Sequence, residues 1–218
     1  MSAAGATFAA LCADAAACQV CPTMAGRRRV LTPANGCPGA RVLFIGEAPG
    51  RFGGERTGVP FSGDRTGHNF TLLLEVAGLD RADIFITNAI LCNPRDAGGR
   101  NRGPSREELA ACRPLLARQV ATIDAPFIVT LGAVALAAID ALAPHRLRLR
   151  EAVGQPIGWQ GRTLVPLYHP GPRAQLHRPF ATQLADFAAL GALVRADTLF
   201  ARPTVTVLGT CEGVPTFD

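Results

Sequence analysis

The distribution of apolar positions along the chain switches between two periods. Residues 41–46 (Arg-Val-Leu-Phe-Ile-Gly) form a short apolar run ending at glycine, as a strand buried on both faces does. Residues 83–87, 126–131 and 163–167 repeat that pattern. Between them, residues 64–77 set Phe70, Leu73, Leu74 and Ala77 on one stripe, which predicts an amphipathic helix. Ser105, with Glu108 three residues later, is a capping box that opens a helix running to about residue 123. An Ala-rich helix follows over 133–142, and a last one covers about 179–195. Residues 93–104 read as a loop by composition, and a Gly/Pro-rich break falls near 154–158, with Trp159 in the turn region after it.

Strands alternating with helices predict an α/β protein: a single domain with a mainly parallel central sheet flanked by helices on both faces. The domain is expected to span residues 1–202, with a C-terminal tail of little periodicity over 203–218. In such folds ligands bind beyond the C-terminal ends of the strands. Glu47, Asn88 and His169 stand at those ends. That convergence marks them as candidate site residues.

Composition narrows the class. The chain has 218 residues, 48% of them apolar, enough for one well-buried domain. No stretch approaches the roughly 20 apolar residues of a membrane span. The N-terminal 17 residues lack a basic leader and carry Asp14, so a cytoplasmic protein is expected. Net charge is +5, and all 22 cationic side chains are arginine. Every cationic contact is therefore a guanidinium, whose fork matches phosphate oxygens. Such a charge permits nucleic-acid binding without requiring it.

Seven cysteines is an odd count for a chain that needs no disulfide staples. Cys18 and Cys21 form a C-x-x-C pair, and Cys92 and Cys112 follow with nineteen residues between them. One loop supplying two thiolates and distant chain supplying two more suits an iron–sulfur cluster. Zinc is the alternative, although zinc sites usually bring two tight pairs and the second pair here is wide. Cys12, Cys37 and Cys211 fall outside this spacing and read as free thiols.

Taken in order, C-Q-V-C at 18–21, V-L-F-I-G-E-A-P-G at 42–50, G-V-P-F-S-G-D at 58–64, I-T-N-A-I-L-C at 86–92, R-E-E-L-A-A-C at 106–112 and Y-H-P at 168–170 resemble the iron–sulfur branches, families four and five, of the uracil-DNA glycosylase superfamily. The resemblance covers about residues 15–195. It implies a 4Fe–4S cluster on Cys18, Cys21, Cys92 and Cys112, and removal of uracil or other deaminated bases from DNA by base flipping. A monomer acting on DNA, with no membrane partner, is expected. Phe61 would be the ring on which the base stacks, and Asn88 the amide that reads its edge. His169 would donate to a uracil carbonyl. Gly46, Ala48, Pro49 and Gly50 would line the pocket. Glu47 would lie beside the base, to orient water or to bar the thymine methyl group.

The chain departs from both branches. Family four carries the glutamate of G-E-A-P-G without an acid after P-F-x-G, and family five the reverse. Here Glu47 and Asp64 are both present, and two carboxylates in one pocket are expected to push one pKa upward. Asp64 is favoured slightly as the group that orients water, while its position also suits a helix N-cap. Beyond His169, Leu176 is the candidate wedge for the gap left by a flipped base. Arg173 and Arg178 are candidate phosphate contacts, as are Arg100 and Arg102 in the 93–104 loop. The rival function is a non-catalytic iron–sulfur protein that holds damaged or single-stranded DNA.

Overall fold

The computed structural model describes residues 3–200; the expected tail at 203–218, the boundary at 202 and Cys211 lie outside the described residues. In chain order the main elements begin with helix α1 (Ala3–Ala17) and strand β1 (Val42–Gly46). There follow the short α2 (Gly54–Thr57), α3 (Arg65–Ala77), β2 (Ile84–Asn88), α4 (Arg106–Ile123), β3 (Phe127–Leu131) and α5 (Ala133–Asp140). The last are α6 (Leu149–Ala152), β4 (Ile157–Trp159), β5 (Arg162–Leu167) and α7 (Phe180–Phe200).

The strands form one sheet in the order β2-β1-β3-β5-β4, parallel throughout except that β4 runs antiparallel to β5. Every residue of β1, β2 and β3 is buried, so their near-continuous apolar runs reflect cover on both faces. The strand period of two divides these residues between two cores. Leu43, Ile45, Phe85 and Ile128 face one way, among Phe8 and Leu11 of α1, Leu116 and Val120 of α4, and Leu136 of α5. Val42, Phe44, Ile86 and Val129 face the other, among Phe70, Leu73 and Leu74 of α3 and Phe187 and Leu190 of α7. The α/β architecture expected from the sequence is the one observed.

The sheet edge differs from the sequence expectation. The break near 154–158 leads into the edge strand β4, which contains Trp159. Its indole N–H donates to the Ala143 carbonyl oxygen at 2.9 Å, so the ring packs the sheet edge onto the chain after α5. Three residues are too few for periodicity to register as a strand. The capping boundaries hold: Ser105 and Glu108 exchange hydrogen bonds at the start of α4, and Asp64 caps α3 by accepting from the Gly67 N–H.

Candidate active site

The C-terminal ends of β1, β2 and β5 open onto one cavity of about 790 Å³. Its wall includes Glu47, Ala48, Pro49 and Gly50 after β1, Phe61 and Asp64 before α3, Asn88 ending β2, and His169 after β5. The sequence-predicted residues therefore converge. Gly46 lies behind them in register with Asn88. A Cβ on Gly46 would come within 2.5 Å of the Asn88 Oδ1 and 3.2 Å of the Phe61 ring. Only glycine leaves room for that amide and that ring to share one wall.

Phe61 has φ +49°, a left-handed conformation that a bulky residue adopts only when its surroundings impose it. Arg81 supplies the constraint. Its Nη2 donates to the carbonyl oxygens of Pro60 (2.9 Å) and Phe61 (2.7 Å), and its guanidinium lies 5.9 Å from the Phe70 ring centroid. Burial pushes the Arg81 pKa down to about 10. The Phe61 ring then stacks on Phe70 with centroids 4.6 Å apart and lies 5.7 Å from the His169 ring. Sequence reasoning passed over Arg81 because an arginine between Asp80 and Asp83 reads as part of a solvated charge run.

His169 is held from two sides. Its Nδ1 accepts the Gly171 N–H at 3.0 Å, while Asn69 of α3 donates to the Pro170 carbonyl oxygen at 2.8 Å. Burial drives the imidazole pKa down to about 4, and the Asp64 carboxylate offsets only part of that shift. The ring is therefore neutral at physiological pH. With Nδ1 accepting, the proton resides on Nε2.

The two carboxylates occupy different environments. Asp64 uses Oδ1 to accept the Gly67 N–H at 2.9 Å. Its Oδ2 faces the backbone of Gly50 and Gly53, where a Cβ would lie within 3.2 Å and 2.4 Å of it. Glu47 is half-buried, and desolvation raises its pKa above the ordinary carboxylate range. The rise expected from two acids in one pocket is present, but burial causes it and not repulsion between the pair.

The 93–104 segment forms the opposite wall. Buried Asn93 donates to the Pro49 carbonyl oxygen (2.7 Å) and to Asn101 Oδ1 (3.0 Å), fastening this loop to the one after β1. Neither arginine expected at phosphates is uncommitted. Arg100 pairs with Asp96, and Arg102 makes a two-pronged ion pair with Glu108 at 2.8 and 2.6 Å. Arg178 likewise pairs through two nitrogens with Asp186. Arg173 is exposed at the cavity mouth, and Leu176, in the turn Pro172–Leu176, is 84% exposed.

A second, small cavity lies beneath. Cys18, Cys21, Cys92 and Cys112 all line it, together with Arg29 and Glu108. The folded chain thus gathers the C-x-x-C pair, the end of the β2 segment and α4 around one space. Burial raises the Cys92 thiol pKa to about 11 and the Cys112 thiol to about 12, with the neighbouring thiols adding to both. Among the described residues, no three His, Cys, Asp or Glu side chains converge on a single-ion site. Of the remaining cysteines, Cys12 is free as expected. Cys37 is disulfide-bonded, which corrects the free-thiol expectation for it.

Fold and site together define an α/β protein with a cavity at the ends of its parallel strands and a four-thiol pocket alongside. The family model described as the uracil DNA glycosylase superfamily matches residues 33–189, and the chain belongs to that superfamily. It is 36% identical over 154 residues to the Type-4 uracil-DNA glycosylase of Thermotoga maritima, covering 70% of this chain and 76% of that protein. It is 34% identical over 177 residues to the Type-4 uracil-DNA glycosylase of Archaeoglobus fulgidus, covering 77% and 85%. The Type-5 uracil-DNA glycosylase of Thermus thermophilus is 32% identical over 187 residues, covering 70% and 82%.

Proposed function

We propose that this protein is a DNA repair glycosylase that hydrolyses the N-glycosidic bond of uracil in DNA, and of other deaminated bases, leaving an abasic site. The observation that carries this is the meeting of Phe61, Asn88, neutral His169 and two carboxylates around one cavity. The family supports it.

On this reading each group has a task. A flipped pyrimidine stacks on Phe61, whose pose Arg81 fixes. Asn88 faces its Watson–Crick edge, with Oδ1 accepting from N3–H and Nδ2 donating to O4. Bond cleavage leaves negative charge on the departing base, and the His169 Nε2–H donates to the carbonyl where that charge develops. A neutral donor serves here without losing its proton to the base. Positive charge builds on the sugar, where a carboxylate stabilises it and orients the attacking water. Asp64 suits that task, because its N-cap bond fixes the carboxyl and leaves Oδ2 available. Glu47, with its raised pKa, suits a role beside the base.

The thiol pocket fits a 4Fe–4S cluster held by Cys18, Cys21, Cys92 and Cys112. Four thiols line one space, and the wide separation of Cys92 from Cys112 in sequence departs from the two tight pairs usual for zinc, which favours a cluster. When bound, the cluster supplies a cross-link between the N-terminal segment, the chain after β2 and α4. The DNA contacts proposed are Arg173 for phosphate and Leu176 for the gap left by the flipped base. Arg178 would act by holding Arg173's loop through Asp186. The protein is proposed to work as a monomer in the cytoplasm; no helix among the described residues is long and apolar enough to cross a membrane.

The test is an excision assay with the purified protein on uracil-containing single- and double-stranded oligonucleotides. Abasic product is expected, and Asn88→Ala and His169→Ala should each lower the rate about 10²–10³-fold, the cost of removing one transition-state donor. Tight binding without product would overturn the catalytic reading in favour of a binding protein.

A further inference from the structure

Phe52 stands on the lip of the cavity and is 63% exposed. A lone exposed phenylalanine needs no explanation, but the setting of this one is unusual in three respects. The ring is presented on anchored backbone: the Phe52 carbonyl oxygen accepts from Arg56 Nε at 2.8 Å, and buried Gly53 follows it. The Arg51 guanidinium lies 5.0 Å from the ring centroid. Arg51 is itself fixed across the loop junction, donating from Nη1 to the Gly99 carbonyl oxygen at 2.9 Å and from its backbone N–H to Asn101 Oδ1 at 3.3 Å. Finally, the same cavity mouth carries the exposed Arg173, so the aromatic face shares it with a second guanidinium.

A preset aromatic ring beside cations is the combination that holds single-stranded nucleic acid. Each base offers a π-face to the ring, and the cations follow the phosphates. We propose that Phe52, backed by Arg51, is a stacking platform for the nucleobase next to the flipped uridine. This inference rests on the proposed glycosylase reading and extends it. The flipped base takes Phe61 inside the cavity, whereas its neighbour along the strand takes Phe52 at the rim. Stacking there compensates for the contact the neighbour loses when the uridine leaves the stack. The platform reads no base edge, so it is indifferent to the identity of the neighbour.

The probe is a single-stranded oligonucleotide holding a non-hydrolysable 2′-fluoro-2′-deoxyuridine, with 2-aminopurine placed on its 5′ or its 3′ side. Fluorescence quenching on binding should appear for one of the two placements with the wild-type protein. Phe52→Ala should abolish the quenching and weaken binding about tenfold, within the range measured for removal of one base-stacking ring. Phe52→Tyr and Phe52→Trp should retain both signals, while Phe52→Leu should behave like Phe52→Ala. Unchanged quenching in Phe52→Ala, or full function in Phe52→Leu, would overturn the platform. Excision by the wild type reports separately on the glycosylase reading. A wild-type protein that excises uracil while Phe52→Ala binds normally loses only the platform. One that quenches through Phe52 but never excises keeps the platform and loses the catalytic assignment.

Discussion

His169 and Glu47 are both held in their uncharged direction by the same physical cause, the loss of water around them. For His169 the folded value of about 4 lies below the ordinary 6.5, so the folded chain declines a proton that the unfolded chain accepts between those values. Its contribution to stability is complete above pH 6.5 and lost as pH falls toward 4. Glu47 has the opposite sign. Its raised pKa means the folded state keeps a proton longer than the unfolded chain, so its contribution is present at low pH and lost as pH rises through the folded value. Above that value a poorly solvated carboxylate is being retained for function. Glu47→Gln is therefore expected to raise Tm modestly at pH 7 and to leave it near wild type at pH 4. Thermal scans at the two pH values check this. Equal shifts at both would mean that the charge is not the cause.

At the scale of elements, the site depends on connections more than on strands. The single turn Arg81–Asp83 between α3 and β2 places Arg81 under the Pro60–Phe61 carbonyls, so a segment remote in sequence sets the ring that holds the base. Arg81→Met should raise KM about tenfold, the equivalent of about 1.4 kcal/mol, with a much smaller change in kcat. Arg81→Lys should recover part of the loss, because it restores a donor but not the fork. A fall in kcat with KM intact would place Arg81 elsewhere in the scheme. The strands, by contrast, were legible in the sequence, because β1, β2 and β3 are buried at every position and apolar except at Thr87, Thr130 and the terminal Gly46 and Asn88. The edge strand β4 was not legible. It is three residues long, and its pairing with β5 exists only once the chain turns back at Gln160–Gly161.

For the whole molecule, an excess of five positive charges, all carried by arginine, predicts salt-sensitive DNA binding. The arginines divide by partner. Arg173 is exposed at the cavity mouth, while Arg178 spends its charge on Asp186. Arg173→Ala should weaken DNA binding and lower the slope of log K against log salt by about 1. Arg178→Ala should chiefly lower Tm, because it leaves the largely buried Asp186 carboxylate without its partner. Titrations at several salt concentrations, alongside melting curves, separate the two. The reverse pattern would exchange their assignments.

The sequence by itself determined the layered α/β plan, the strand ends at which Glu47, Asn88 and His169 stand, and the thiol quartet, because periodicity, glycine placement and cysteine spacing are local properties of the chain. Tertiary structure decided how those groups behave. Burial made His169 neutral and shifted Glu47. A distant guanidinium set the backbone of Phe61, and ion pairs removed Arg102 and Arg178 from the set of free cations. Each of these depends on which groups lose water and which neighbours they meet, and a residue meets those neighbours only after the chain has folded.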